Sequence, residues 1–290
     1  MSRKLGAFDP ASTATTTILS VTTTASGSIA GVAQNMFPLS TDLSNTGAGA
    51  GVLSTLGTVS FSSAVGTPYG AGSALRIQDS SSTRNKLEIT SAGAVEMMEF
   101  SSAFTWEWWM WRDSGQNDSA RTFFDSRQNG EHSYPVFRIV FNESGHLQVQ
   151  NASSGSGSYQ TRTASTAAAE QQWQHYAITR DSSNLMRMFY DGVLVHSSNF
   201  QFTFDNKATG GKPEFFSDVN VTNNFECYMR DLRIFKDLCL YTTAFTVPSQ
   251  PMTATNETII TATSAVSDTR THSHVWNYED VYTARALDTW

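Results

Sequence analysis

The chain has 290 residues with a net charge of −7, and only 16% of its residues are Asp, Glu, Lys or Arg. An average soluble chain carries about 25% charged residues, so the polar surface here must be built from Ser, Thr, Asn and Gln, as on an adhesin or a particle component. The acidic balance and the lack of a Lys/Arg cluster exclude a nucleic-acid phosphate partner, and no run of about 18 apolar residues exists to insert in a membrane.

Residues 1–36 are rich in Thr, Ser and Ala, and the opening M-S-R-K-L-G-A-F-D-P has no apolar stretch after its basic pair, so it is not a secretory signal peptide. Within this region T-T-T-I-L-S-V (15–21) and S-I-A-G-V-A (28–33) predict two short strands around a Ser26-Gly27 turn. The segment is either an anchoring arm for a neighbouring subunit or a poorly ordered leader. The Gly-rich stretch at 47–51 has no G-K-[ST] and is a surface loop, not a phosphate cradle. Strands are predicted at 60–62, 68–77 and 86–90, where Leu87 and Ile89 alternate with polar neighbours.

The stretch Phe100 to Asp113, F-S-S-A-F-T-W-E-W-W-M-W-R-D, organises the rest. At a period of two, Phe104, Trp106, Trp108 and Met110 share one wholly apolar face, and Thr105, Glu107, Trp109 and Trp111 share the other. Large aromatics bury roughly 150–250 Å² each, so these rings alone demand a facing sheet. Further strands follow at 120–126, 173–180 and 227–236, with hairpins over 134–150, turning at Asn142 to Gly145, and around Asp191-Gly192, a pair suited to a type I′ turn. Cys227 and Cys239 bracket one extended strand, too far apart for a disulfide, and are read as free thiols. Many short strands, frequent turns and no long helical period predict an all-β, two-sheet antiparallel sandwich.

Four segments in order, F-T-W-E-W-W-M-W (104–111), W-Q-H-Y-A-I-T-R-D (173–181), M-F-Y-D-G-V-L-V (188–195) and M-R-D-L-R-I-F-K (229–236), resemble the laminin-G-like, concanavalin A-like lectin/glucanase jelly roll. The closing Y-T-T-A-F-T-V-P-S-Q-P (241–251) is similar to the ending of phage copies of that domain, as is, more weakly, the leader. The resemblance implies a jelly roll over 37–251, an N-terminal β-rich anchoring arm over 1–36 and a C-terminal docking tail over 252–290. It also implies a non-enzymatic bacteriophage virion protein, of head-decoration or tail-fibre type, made in the host cytoplasm and displayed on the released particle. Its partners would be other virion proteins, further copies of itself and a host-surface glycan. The alternative is a lectin-like adhesion module, with a glycosidase third. Met229-Arg230 departs from the family, which has an aliphatic residue and an acid there, and puts that position's usual polar contact in doubt.

Glucanases of this fold present two carboxylates from alternate residues of one strand, and retention needs them about 5–5.5 Å apart. Here the strand supplies Glu107 alone, followed by Trp109 and Trp111, so cleavage is not expected and no catalytic residue is assigned. These three residues are instead candidate glycan contacts, or pack under a loop or against a neighbour. Calcium occurs in laminin-G-like domains, and Asp181, Asp191, Asp218 and Asp231 are oxygens that could serve, but no D-x-D-x-D-G spacing places an ion; no cofactor or metal site is assigned. His272 and His274 sit two apart in a polar tail and are read as solvated. In the tail, T-I-I-T-A-T (258–263) predicts a strand, and Tyr278, Val281, Tyr282 and Leu287 recur at helical spacing before Trp290, an apolar set expected to dock on the sandwich or another subunit.

Overall fold

The computed structural model describes residues 23–28, 33, 35–49, 51–78, 85–89, 99–126, 136–152, 159–204, 213–216, 225–254 and 259–264. Among the described residues every regular element is a strand. In chain order these are β1 (Thr23–Ser28), β2 (Asn35–Phe37), β3 (Leu53–Leu56), β4 (Val59–Ser62), β5 (Ala74–Ile77), β6 (Lys86–Ile89), β7 (Phe104–Arg112), β8 (Arg121–Asp125) and β9 (Val136–Phe141). They continue as β10 (Leu147–Ala152), β11 (Gln160–Thr163), β12 (Trp173–Arg180), β13 (Leu185–Tyr190), β14 (Val193–Asn199), β15 (Glu214–Phe215), β16 (Cys227–Lys236) and β17 (Ile259–Ser264).

The chain divides into two compact units. In one, β1 and β17 pair antiparallel as a two-stranded ribbon, Thr23 opposite Ser264 and Ser28 opposite Ile259. The turn expected at Ser26-Gly27 is instead mid-strand, because the ladder with β17 supplies backbone partners that a local turn would forgo. The second unit, Ile29 to Glu257, is the sandwich. One sheet runs β11-β10-β9-β8-β15-β6-β3; the other runs β14-β13-β12-β7-β16-β5-β4, with β2 also pairing on β16. Strand β2 spans residue 37, and the chain through Ala254 packs against the sandwich.

β7 sits centrally in its sheet for the reason its alternation predicts. Phe104, Trp106, Trp108 and Met110 point into a core supplied by both sheets. Trp108 stacks on Phe123 of β8 at 4.2 Å and parallels Tyr176 of β12 at 5.4 Å, while Trp106 meets Phe124 edge-on at 4.9 Å. These rings join the two layers directly.

Both expected hairpins form. The Asn142 side chain accepts the backbone N–H groups of Ser144 and His146, and Gly145 takes φ 75°. At the other turn Asp191 and Gly192 adopt φ 48° and 77°, the two positive values a type I′ turn requires. Gly192 has a second role: a Cβ there would lie 1.9 Å from the Phe245 carbonyl oxygen. Gly192→Ala is therefore expected to cost about 1–3 kcal/mol of unfolding free energy in a denaturant titration; an unchanged midpoint would mean that Phe245 does not sit on the turn.

The strand expected over 68–77 is shorter. Thr67 and Gly70 exchange backbone hydrogen bonds in a tight turn, and only Ala74–Ile77 pairs as a strand. Cys227 is buried and Cys239 half-buried, both as free thiols as expected, and burial raises both above the ordinary thiol range. The strand expected at 15–21, Asp218, His272 and His274, and the tail residues Tyr278, Val281, Tyr282, Leu287 and Trp290 lie outside the described residues.

Candidate functional site

The outer face of β7 is covered. Beside Glu107 and Trp109 the neighbouring strands carry Ala177, Phe189 and Phe235, and over this apolar field lie Leu240, Tyr241, Phe245, Val247 and Met252 of the closing segment. Tyr241 stacks flat on Phe245 at 3.6 Å. Trp109 meets Tyr69 and His175 edge-on at 6.1 and 5.0 Å. The expectation of an open glycan platform is thus corrected for Glu107, which is 0% exposed, and for Trp109, which is 7% exposed: that face is apolar enough to bind the chain's own C-terminal segment. Trp111 stays half-buried, directly opposite Trp173 and 6.4 Å from it.

Glu107 is the centre of a buried charge cluster. Arg233 donates to Oε1 from Nε at 2.8 Å and Nη2 at 2.6 Å, the Tyr241 hydroxyl donates to Oε2 at 2.8 Å, and His175 Nε2 lies 3.3 Å from Oε2. Burial alone would push this carboxyl up, but the Arg233 charge with His175 and Tyr241 outweighs it and holds Glu107 at about 2. A carboxylate so held is an anchor, unable to act as an acid.

The departure at Arg230 finds its use at a bulge. Arg230 donates to the Ser73 carbonyl at 2.7 Å, and Asp231 turns through φ 53° to accept the Tyr69 hydroxyl at 2.7 Å and the Met252 N–H at 3.0 Å. Burial raises the Asp231 carboxyl above its ordinary value despite these donors and the Arg230 and Arg233 charges. An acid raised in the folded state contributes stability that is complete below its unfolded pKa and lost as pH rises through the folded one. Asp231→Asn keeps an acceptor oxygen without the charge, so its stability relative to the parent is expected to grow as pH rises from below the ordinary carboxyl value of 3.8; a difference that does not vary with pH in paired urea titrations would refute this.

A polar row crosses the outer side of the other sheet, half-buried to exposed at its β10–β11 end. Ser54, Glu88, Glu214, Asp125, Arg138, Gln150 and Thr161 stand directly opposite one another across β3, β6, β15, β8, β9, β10 and β11. Their strand neighbours Leu87, Phe215, Phe124, Ile139 and Val149 are in the core, so this row faces outward. At the strand spacing of about 4.8 Å the row spans roughly 29 Å.

Within the row, Lys86 Nζ meets Glu214 at 2.5 Å and Glu88 at 2.8 Å. Arg138 pairs with Asp125 at 3.1 Å and donates to Gln150 at 3.3 Å and Thr122 at 3.1 Å, its guanidinium 5.4 Å from the Tyr159 ring centre. Gln150 then donates to Gln148, and Gln148 to Thr163, at 3.0 and 3.1 Å. Asp125 and Glu214 are buried, whereas Glu88, Arg138, Gln148, Gln150 and Thr163 are half-buried and Thr161 is exposed. Three carboxylates stand side by side, and each is bonded to Lys86 or Arg138. Hydrogen bonding to a hydroxyl-rich ligand is the chemistry such a row offers. The L-Q-V-Q alternation of β10 signals its outward amides, but β15 is two residues long and carries no sequence pattern at all.

Of the oxygens considered for calcium, Asp181 is taken by Ser183, Leu185 and Arg187, and Asp191 by His175 N–H and Gln174. Among the described residues no group of three or more His, Cys, Asp or Glu is arranged to hold a metal ion, and no helix is long and apolar enough to cross a membrane.

A family model, Laminin_G_3, described as the concanavalin A-like lectin/glucanases superfamily, matches residues 81–240, more than half of the chain. The chain belongs to this superfamily. As a concanavalin A-like domain it superposes on the binding domain of Paraclostridial Mosquitocidal Protein 1 with a TM-score of 0.53 at 15% identity, covering 71% of this chain and 50% of that one. It is similar to the receptor-binding domain of the botulinum neurotoxin C/D mosaic serotype, with a TM-score of 0.52 at 13% identity over 71% and 48% of the two chains. A structure of botulinum neurotoxin type C, a toxin whose cell entry is described as dependent upon interaction with two ganglioside molecules, gives 0.51 at 16% identity over 72% and 48%. The chain spans about half the length of these structures, and at such identities the likeness is one of fold. No curated protein matches the chain.

Proposed function

We propose that this concanavalin A-like domain is a glycan-binding module that does not cleave its ligand. The observation that carries the reading is the unbroken polar row crossing all seven strands, in which each carboxylate is already held by a cation. Gln148 and Gln150 each keep one amide hydrogen and one lone pair after bonding within the row, a pairing that fits adjacent sugar hydroxyls. The fold's similarity to binding domains of toxins accords with this. The test is a glycan array with the full chain, followed by titration of the strongest binder. Gln148→Ala with Gln150→Ala is expected to weaken binding about tenfold, the loss of one or two net hydrogen bonds, and incubation with polysaccharides is expected to release no reducing ends. Retained affinity in the double variant, or sugar release, refutes the reading.

The setting we propose is the surface of a bacteriophage particle, bound to other virion proteins and to further copies of the chain. It is supported by the closing Y-T-T-A-F-T-V-P-S-Q-P motif and by the uncharged sequences of the β1–β17 ribbon. Mass spectrometry of purified particles tests it; absence of the chain from them rejects the setting and leaves the binding module.

A further inference from the structure

We infer that the row selects neutral glycans and turns away anionic ones. The inference rests on the glycan-binding reading and concerns its ligand class. Three acids, Glu88, Glu214 and Asp125, face two bases, Lys86 and Arg138, so the row itself carries one net negative charge. Both bases are committed. Lys86 has carboxylates at 2.5 and 2.8 Å, and Arg138 has Asp125, Gln150 and Thr122 around its fork and an aromatic ring beneath it.

A sialic acid, uronate or sulfate group would have to break one of these pairs to gain a cation, and the half-buried Glu88, four strands along the row from the amides at roughly 19 Å, adds a like charge that 20 mM salt leaves largely unscreened. Like charge opposes it even at a distance, since the chain as a whole carries −7. A neutral sugar meets no such cost. Gln148, Gln150, Thr161 and Thr163 offer it uncharged donors and acceptors on two adjacent strands, a patch of about 5 by 7 Å.

The experiment is titration calorimetry of the full chain with neutral oligosaccharides of glucose, N-acetylglucosamine, mannose and galactose, beside sialyllactose and oligo-uronates, each in 20 and 300 mM salt. Affinity for at least one neutral class, unchanged by salt, with anionic sugars at least tenfold weaker in low salt, is expected. In Glu88→Gln the anionic penalty should shrink while neutral affinity stays. An anionic sugar binding as tightly as the best neutral one, or a penalty untouched by Glu88→Gln, overturns the inference while leaving glycan binding intact. Failure of every sugar to bind removes the glycan reading, and the inference with it.

Discussion

Replacing Glu107 by Gln is expected to lower the unfolding free energy by about 3–5 kcal/mol, because breaking one side of a buried pair strands the other charge. Arg233 would keep its positive charge in a site where its side chain is 5% exposed, with the Thr253 carbonyl and the Tyr241 hydroxyl as neutral partners and no carboxylate bonded to it. The cost should fall largely on the closing segment, since Tyr241 also anchors through Glu107. Replacing both partners by apolar residues, Glu107→Leu with Arg233→Met, removes the stranded charge and is expected to recover most of the loss. The pH dependence has a definite sign. A carboxyl held at about 2 against an ordinary 4.5 adds stability that is complete above the unfolded value and lost as pH falls through the folded one, so the gap between parent and Glu107→Gln should close between about pH 4.5 and 2. A Glu107→Gln protein with the parent's denaturation midpoint at pH 7 would show that the cluster does not hold the segment.

Trp108→Ala is the second large effect, about 3–5 kcal/mol in the same measurement. The ring lies between Phe123 of one sheet and Tyr176 of its own, with no solvent contact, so truncation leaves a cavity between layers that the strands cannot close over. Trp111→Ala, on the half-buried outer side of the same strand, should cost about 1 kcal/mol or less. Equal costs at the two positions would contradict the assignment of faces.

The contrast between those two tryptophans also shows what could be read from the chain alone. Alternation assigned Phe104 through Trp111 to their two faces correctly, and the paired positive φ values at Asp191 and Gly192 follow from local turn chemistry. Both are properties of neighbours in sequence. What covers the outer face is not: Tyr241 lies 134 positions from Glu107, and nothing local in T-W-E-W-W announces that Glu107 meets an arginine and a tyrosine. The polar row was hidden for the same reason. It depends on the register of seven strands drawn from residues 53–215, and Glu214 enters it on a strand of two residues that has no periodicity to detect. Arg230, flagged as a departure from the family, reaches a backbone carbonyl at Ser73, while the neighbouring Asp231 makes the side-chain contact at the bulge.

The position of the closing segment bears on how the protein can be cut for expression. A fragment trimmed to the span matched by the family, 81–240, would omit β2 to β5 and everything after Leu240. It would open the flank of β16 where β5 and β2 pair, and strip the cover from Trp109, Phe189 and Phe235. Such a piece presents a raw strand edge beside a bare aromatic field, a combination that aggregates. Soluble material is to be sought from fragments that begin before Ala33 and run past Ala254, the two residues whose backbone hydrogen bond fastens the ends of the sandwich together.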